Sequence, residues 1–504
     1  MSSNRIIINT LAQYIRTLIT TILALYSTRL IMEIIGVEEF GIYTVVAGVV
    51  SMLSFVTSAL VRTTQRYMSY YQGKSDINYL SFLFNNCLAL HIVLGVVISI
   101  ILCLMTPLLF NGFLNIPEVR VNAAILVFFT VIGMLFFTLI SSPYKALLIS
   151  HENIVYISII EVIDGLLKVI LVIGLKYISY DKLIIYGALM FGVQVFNFLA
   201  FSIYCFSHYN ECRRLRIKEV DFAIIKEITG YTGWNIYNTG CIVGRNQGVS
   251  IILNRLLGAT INAAYGIAFQ VAGCVGVLSN SIKNAFSPQI MRSEGSGDRA
   301  RMIKMAEIET KISLLLLCAI SIPIIFEIDG ILILWLKEVP DYCSIFCIMM
   351  LLACIADTMT TGLCSINLAI GNLKNFSIYS YTLKIVTVPI AALCKDPYQI
   401  AVVFIVFETA SSLIRLPLSK KESGINASSF VYNVLIKLLL PIISTSLVSY
   451  FLSCYIHLKY GFLINISISF LFFICVFIVA SLNLEEKEVF ARILESLRNK
   501  FIKQ

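Results

Sequence analysis

Amide and charged side chains inside long apolar runs are where this sequence could do chemistry. Asn9, Gln13, Arg16 and Thr20 recur at intervals of four, three and four, which places them on one face of a helix. Asn235, Asn238 and Arg245 form a similar stripe, adjoined by Asn246 and Gln247. Arginine offers phosphate oxygens a planar fork of donors, and amides match hydroxyls. Two such stripes suit a ligand bearing phosphate or sugar, with Lys168 as a further cation. The competing reading is that the stripes only tie helices together.

Carboxylates in the same setting suggest ion exchange. Glu161, Asp164 and Lys168 share one helical face, and the Asp164–Lys168 pair, four apart, can neutralise itself. That leaves Glu161 over. Asp357 has no charged residue three or four positions away. An unpaired intramembrane carboxylate is a candidate site for a proton or Na⁺, so Glu161, Asp164 and Asp357 are the expected ion-coupling groups. Glu408 shares the ambiguity. Arg29 with Glu33, Lys283, Arg415 and Lys437 fall near expected span ends, from which they can snorkel to head groups. Lys384 lies deeper with no evident partner. Gly233, Gly240, Gly244 and Gly248 imply close helix packing or a bend. The 14 cysteines show no metal-ligand spacing, and neither a metal nor another cofactor is expected.

These residues need helices that cross a bilayer. Of 504 residues, 58% are hydrophobic and 13% charged, about half the charge of an average soluble domain. About fourteen apolar runs are long enough to span ~30 Å of hydrocarbon. They lie near 10–32, 41–61, 81–106, 121–141, 154–175, 183–206, 230–257, 262–286, 308–326, 342–366, 376–394, 398–418, 433–456 and 462–482. The fold class is therefore all-α integral membrane. The net charge of +9 reads as orientation and lipid contact, not nucleic-acid binding. Basic residues gather in 207–228, in 287–311 and beyond Leu482, which makes that side, with both termini, cytoplasmic.

The halves resemble one another. Asn9 and Arg16 recur as Asn238 and Arg245, Gly41 and Gln65 as Gly266 and Gln289, and Ile149 and Asn153 as Ile370 and Asn375. The expected organisation is two pseudo-symmetric six-helix lobes, 1–206 and 230–418, joined by a basic cytoplasmic linker at 207–229. Two further spans fill 419–482, and 483–504 forms an amphipathic cytoplasmic tail.

Several segments resemble the lipopolysaccharide O-antigen and capsule flippases of the multidrug/oligosaccharidyl-lipid/polysaccharide (MOP) exporter superfamily, particularly Bacteroidetes-type members. They include Arg29-Leu30-Ile31, Gly41-Ile42-Tyr43, Thr64-Gln65-Arg66, Gly233-Trp234-Asn235, Arg245-Asn246-Gln247-Gly248 and Trp335 to Pro340. The resemblance implies a MATE-like fold around a cationic cavity in a bacterial inner membrane. It implies an undecaprenyl-diphosphate-linked oligosaccharide as substrate, flipped by alternating access. The expected partners are that substrate, membrane lipids and polysaccharide assembly proteins, with H⁺ or Na⁺ coupling resting on the carboxylates above. It fixes no charged motif, so Arg16 and Arg245 rest on the physical argument. A multidrug exporter of the same superfamily is the nearest rival. A membrane polysaccharide polymerase or ligase is more distant, since no long loop carries a nucleophile–base set and no enzyme activity is expected.

The charge asymmetry makes a topological prediction. Lys218→Cys, in a cysteine-free background, should label with an impermeant maleimide only after the cytoplasmic face is opened. Labelling of intact spheroplasts from outside would reverse the orientation.

Overall fold

The computed structural model describes residues 3–51, 53–74, 77–113, 116–212, 221–336, 339–455 and 461–480. The expected tail at 483–504 and residues 213–220 of the basic linker, Lys218 included, lie outside the described residues. Every described element is helical. In hydrocarbon a helix satisfies its own backbone groups, which loops and open strands cannot do.

Seven helices build the first half: α1 (Ser3–Ile34), α2 (Val37–Ser51), α3 (Ser54–Gly73), α4 (Ile77–Leu108), α5 (Val121–Ser150), α6 (Ile154–Gly174) and α7 (Lys182–His208). Next come α8 (Phe222–Leu257), α9 (Ala259–Gly295), α10 (Arg299–Phe326), the short α11 (Ile328–Leu336), α12 (Cys343–Thr358) and α13 (Thr361–Ile370). One turn of helix, α14 (Lys374–Phe376), leads through a π-turn at Ser377–Tyr381 into α15 (Thr382–Ala391). The chain closes with α16 (Pro397–Leu413), α17 (Arg415–Ser423), α18 (Ala427–Phe430), α19 (Lys437–Tyr455) and α20 (Gly461–Ala480). Starts are capped where the sequence supplies a short acceptor. Asn153 takes the Tyr156 N–H, Asp181 those of Leu183 and Ile184, and Asp396, followed by Pro397, that of Tyr398.

All fourteen expected spans fall on helix. Among the described residues nine helices are long and apolar enough to cross a membrane. The number is eleven if each of two bent pairs counts as one span. Those pairs are α2 with α3, bent by 46°, and α12 with α13, bent by 47°. The remaining three expected spans are α6, α8 and the segment from α14 to α15. They carry Glu161, Asp164 and Lys168, the Asn/Arg stripe, and Lys384 respectively.

The chain divides into two compact units, Arg5–Thr239 with Gly295–Gly297, and Gly240–Glu294 with Asp298–Gln504 and Met1–Asn4. In the first, α5 is the central helix, flanked by α2, α3, α4 and α7. In the second, α10 packs against α12, α13, α19 and α20. The Asn465 amide of α20 there donates to Glu327 at 2.8 Å. Gly362 fixes the α10–α13 approach: its N–H donates to Thr310 at 3.0 Å, and a Cβ would stand 2.0 Å from the Ala306 carbonyl oxygen.

Outside the spans, one arginine ties three segments of the first unit. Arg120, just before α5, pairs with Asp181 at 2.7 Å and with Glu39 of α2 at 2.6 Å. Hydrogen bonds from Arg120 hold the Asp181 carboxyl below the usual carboxylate range. A depressed carboxylate stabilises the fold above its unfolded pKa near 4, and that contribution fades as pH falls through the lower folded value. With the three side chains about a quarter to a third exposed, the pairings are worth about 1 kcal/mol. Arg120→Ala should therefore melt a few degrees below wild type at pH 7, with the gap narrowing below about pH 4. A gap that does not change with pH would show that ionisation of Asp181 is not involved.

Candidate functional site: buried ion clusters within each unit

Within the second unit, five charged side chains from five helices converge. Arg245 of α8 pairs with Glu408 of α16, which also accepts the ammonium of Lys384 from α15. Lys384 reaches Asp357 of α12 at 2.8 Å, and Arg415 of α17 reaches the same Asp357 oxygen at 2.8 Å. Arg245 also lies 4.3 Å over the Phe404 ring, and its Nε donates to the Asn246 side chain at 3.1 Å. Arg415, Lys384 and Glu408 are almost fully buried, whereas half of the Asp357 side chain is exposed.

Irregular backbone builds this cluster. Asp357 stands one residue before the end of α12, at the 47° break. There Arg415 donates at 3.4 Å to the Asp357 carbonyl, which the broken helix leaves over, and at 3.2 Å to the Thr360 hydroxyl. Lys384 follows the π-turn, whose Ser380 hydroxyl accepts from Arg415 Nε at 3.0 Å. Gly248 and Gly244 bring α8 close to α15, since a Cβ would meet Val388 at 2.7 Å and Ile385 at 2.9 Å. Close packing therefore explains these two glycines. Gly233 and Gly240 have open space instead.

The first unit has a smaller counterpart. Arg16 of α1 pairs with Glu161 of α6 at 2.7 Å, and Lys145 of α5 binds the other Glu161 oxygen. One turn along α6, Lys168 pairs with Asp164 at 2.7 Å, and the Asn197 amide of α7 adds a bond of 2.7 Å to that carboxylate. An apolar cleft of about 270 Å³ runs beside Arg16, between α1 and α6.

Several expectations change. Asp357 does not stand alone: Lys384 and Arg415 neutralise it from helices too distant for any three- or four-residue spacing to reveal. Arg415 does not snorkel, because Asp357 and the helix break hold it at 1% exposure. Glu161 is not left over, and Lys384 has two partners. Asp164 and Lys168 pair with each other as their spacing predicts. Asn9 is buried with its amide on the Glu152 carbonyl at 2.9 Å, holding a turn residue in the left-handed region. Gln13 and Asn238 are buried and Gln247 is exposed. Arg16 meets the fifth expected span and Arg245 the twelfth, so their direct partners do not correspond. Other members do: α1, α5 and α6 of the first cluster hold expected spans one, four and five, and α8, α12 and α15 of the second hold seven, ten and eleven. Lys145 and Glu309 belong to no motif or spacing legible in the sequence. Glu309 is fully buried in α10 and accepts from Ser365 at 2.9 Å; it lies at the start of the expected span 308–326.

This all-helical membrane fold is similar to that of solved MATE transporters. The chain superposes on the outward-facing conformation of a multidrug resistance MATE family transporter with a TM-score of 0.71 and 12% identity. That match covers 83% of this chain and 95% of the other. A MOP superfamily transporter from Pyrococcus furiosus, described as having a binding pocket of reverse polarity that suggests a different function, gives 0.69 at 12% identity. It covers 84% of this chain and 96% of that one. The curated relative EpsK, an uncharacterized membrane protein of Bacillus subtilis (strain 168), is 23% identical over 327 residues, 62% of this chain. The match spans 61% of that relative's length. No family model matches the chain.

The cluster in the second unit makes a stability prediction. Glu408→Gln leaves Arg245 and Lys384 short of a counter-charge and should cost about 3–5 kcal/mol. Adding Lys384→Gln restores the balance, and Arg415 still neutralises Asp357. The double variant should melt above Glu408→Gln alone in a double-mutant cycle. Simple additivity would mean the three groups do not act as one network.

Proposed function

We propose that this chain is an alternating-access flippase. It carries an undecaprenyl-diphosphate-linked oligosaccharide, an O-antigen or capsule repeat unit, from the cytoplasmic to the periplasmic leaflet of a bacterial inner membrane. The observation that carries this reading is the sign of the buried charge. The cluster of Arg245, Lys384 and Arg415 against Glu408 and Asp357 counts three cations to two anions. That of Arg16 and Lys145 against Glu161 counts two to one. Each keeps one positive charge beyond balance. A diphosphate is a mobile counter-ion for such a surplus, and it can leave again because existing carboxylates already satisfy most donors. The polyprenyl tail stays in lipid, so only the polar head needs shelter. Contacts with polysaccharide assembly proteins belong to the same proposal.

Coupling takes a revised form. A proton or Na⁺ at Asp357 or Glu161 competes with ammonium or guanidinium groups already bound there, so its uptake would free a cation for the substrate. The fold likeness suits a multidrug exporter equally well, and the half-exposed Asp357 carboxylate is the group that would favour a cationic drug. The surplus of cations favours the anion.

Proteoliposomes separate the two. Protein should flip a fluorescent undecaprenyl-diphosphate oligosaccharide, and Arg245→Ala or Arg16→Ala should reduce the rate at least about tenfold at matched folded protein, roughly 1.4 kcal/mol. Arg→Lys should retain part of it, since charge remains and the fork is lost. Extrusion of a cationic dye without flipping of the lipid would replace this reading with the multidrug one.

A further inference from the structure

At the C-terminal end of α3, the first unit gathers rings and cations that neither ion cluster uses. Arg66, buried on α3, holds its guanidinium over the rings of Tyr67, Tyr70 and Tyr231 at 4.8, 4.9 and 5.3 Å. Tyr70 meets Tyr71 edge-on at 5.3 Å, and Tyr71 meets Tyr79 of α4 at 4.5 Å. The Lys74 ammonium stands 4.9 and 5.1 Å over the rings of Tyr70 and Tyr71. Opposite lies the turn Gly295-Ser296-Gly297. No side chain fits at Gly295, where a Cβ would stand 1.8 Å from the Tyr70 carbonyl oxygen, and Gly297 has φ +80°. These elements enclose an open cleft of about 660 Å³ lined by Tyr71, Gly73, Lys74, Tyr79, Gly295 and Ser296.

We propose that this cleft binds a glycosyl phosphate, with the sugar on the tyrosines and the phosphate on Lys74. A pyranose presents an apolar face of C–H groups that settles on an aromatic ring, while its hydroxyls exchange hydrogen bonds with the Tyr71 phenol and Ser296. Tyrosines suit this task because they bring large area with few rotatable bonds. Arg66 fixes Tyr70 from below, and Tyr70 steadies Tyr71. Lys74 is exposed, so its contact with the rings is worth only about 0.5–1 kcal/mol. A phosphate displaces that contact at little cost. The volume lies within the range of small-molecule sites, about 300–1,000 Å³. On the proposed orientation the cleft opens to the cytoplasm, where a lipid-linked saccharide is first met. The identity of the sugar phosphate as the head of that substrate rests on the flippase reading, while the cleft chemistry does not.

The test uses the full chain in nanodiscs of zwitterionic lipid, titrated with N-acetylglucosamine 1-phosphate, N-acetylglucosamine or inorganic phosphate and followed by calorimetry. The glycosyl phosphate should bind at least about tenfold more tightly than either fragment. Lys74→Gln and Tyr79→Leu should each weaken it about tenfold, whereas Tyr79→Phe, which keeps the ring, and Arg245→Ala should not. Equal binding of inorganic phosphate, or wild-type binding by Lys74→Gln and Tyr79→Leu, overturns the proposal. So does displacement of the sugar phosphate by phosphatidylglycerol in the nanodisc, which would make the cleft a site for ordinary anionic lipid. Flipping assays on the same proteins keep the two readings apart. Normal flipping without glycosyl-phosphate binding overturns the cleft and leaves the transporter. Binding without flipping of any lipid-linked saccharide overturns the transporter and leaves the cleft.

Discussion

A charge placed in hydrocarbon must find its counter-charge within the protein, and the helices of this chain are arranged around that requirement. An unpaired arginine, lysine or aspartate at mid-span costs about 2.5–3.5 kcal/mol on insertion scales. In the second unit five such groups meet, and each comes from a different helix. Their pairing decides which faces of α8, α12, α15, α16 and α17 turn inward. Apolar packing alone would leave that choice open, because lipid tails solvate leucine as well as a neighbouring helix does. The cluster acts as a register for the unit as well as a concentration of charge.

What the sequence made legible follows from distance along the chain. Hydropathy and the 3.6-residue period are local signals, and they located every expected span on a helix. The Asp164–Lys168 pair and the close approach at Gly244 and Gly248 are local too, and were readable. The partners of Asp357 lie 27 and 58 residues away, and Glu408 lies 163 residues from Arg245. No periodicity within one helix carries that information. Arg415 was misplaced for a related reason: its position near a span end suggested water, while its real environment is set by α12 and the π-turn. The break after Thr358 was equally hidden, since Met359, Thr360 and Thr361 include neither proline nor glycine.

The site and the irregular backbone belong together. Straight helices would carry Asp357 and Lys384 on regular faces, each with its carbonyls spoken for. The 47° bend and the π-turn expose backbone groups: Arg415 donates to the Asp357 carbonyl and the Ser411 hydroxyl to the Ser380 carbonyl. A guanidinium with five donors can hold a carboxylate, a carbonyl and two hydroxyls together, which no lysine could do at that position. The network is thus both a charge balance and a repair of broken hydrogen bonding. Moving one helix half requires these exchanges to move with it, so the cluster sits where a conformational change would be felt.

The distance from Arg245 to Glu408 also has meaning for biogenesis. A membrane protein is threaded into the bilayer from its amino terminus, and α8 leaves the ribosome 163 residues before its carboxylate exists. Throughout that interval Arg245 lacks the partner it has in the finished fold. Lys384 is better placed, because Asp357 precedes it by 27 residues and Glu408 follows by 24. The second unit therefore cannot be completed helix by helix as it emerges. The circuit around Arg245 closes only once α16 has arrived.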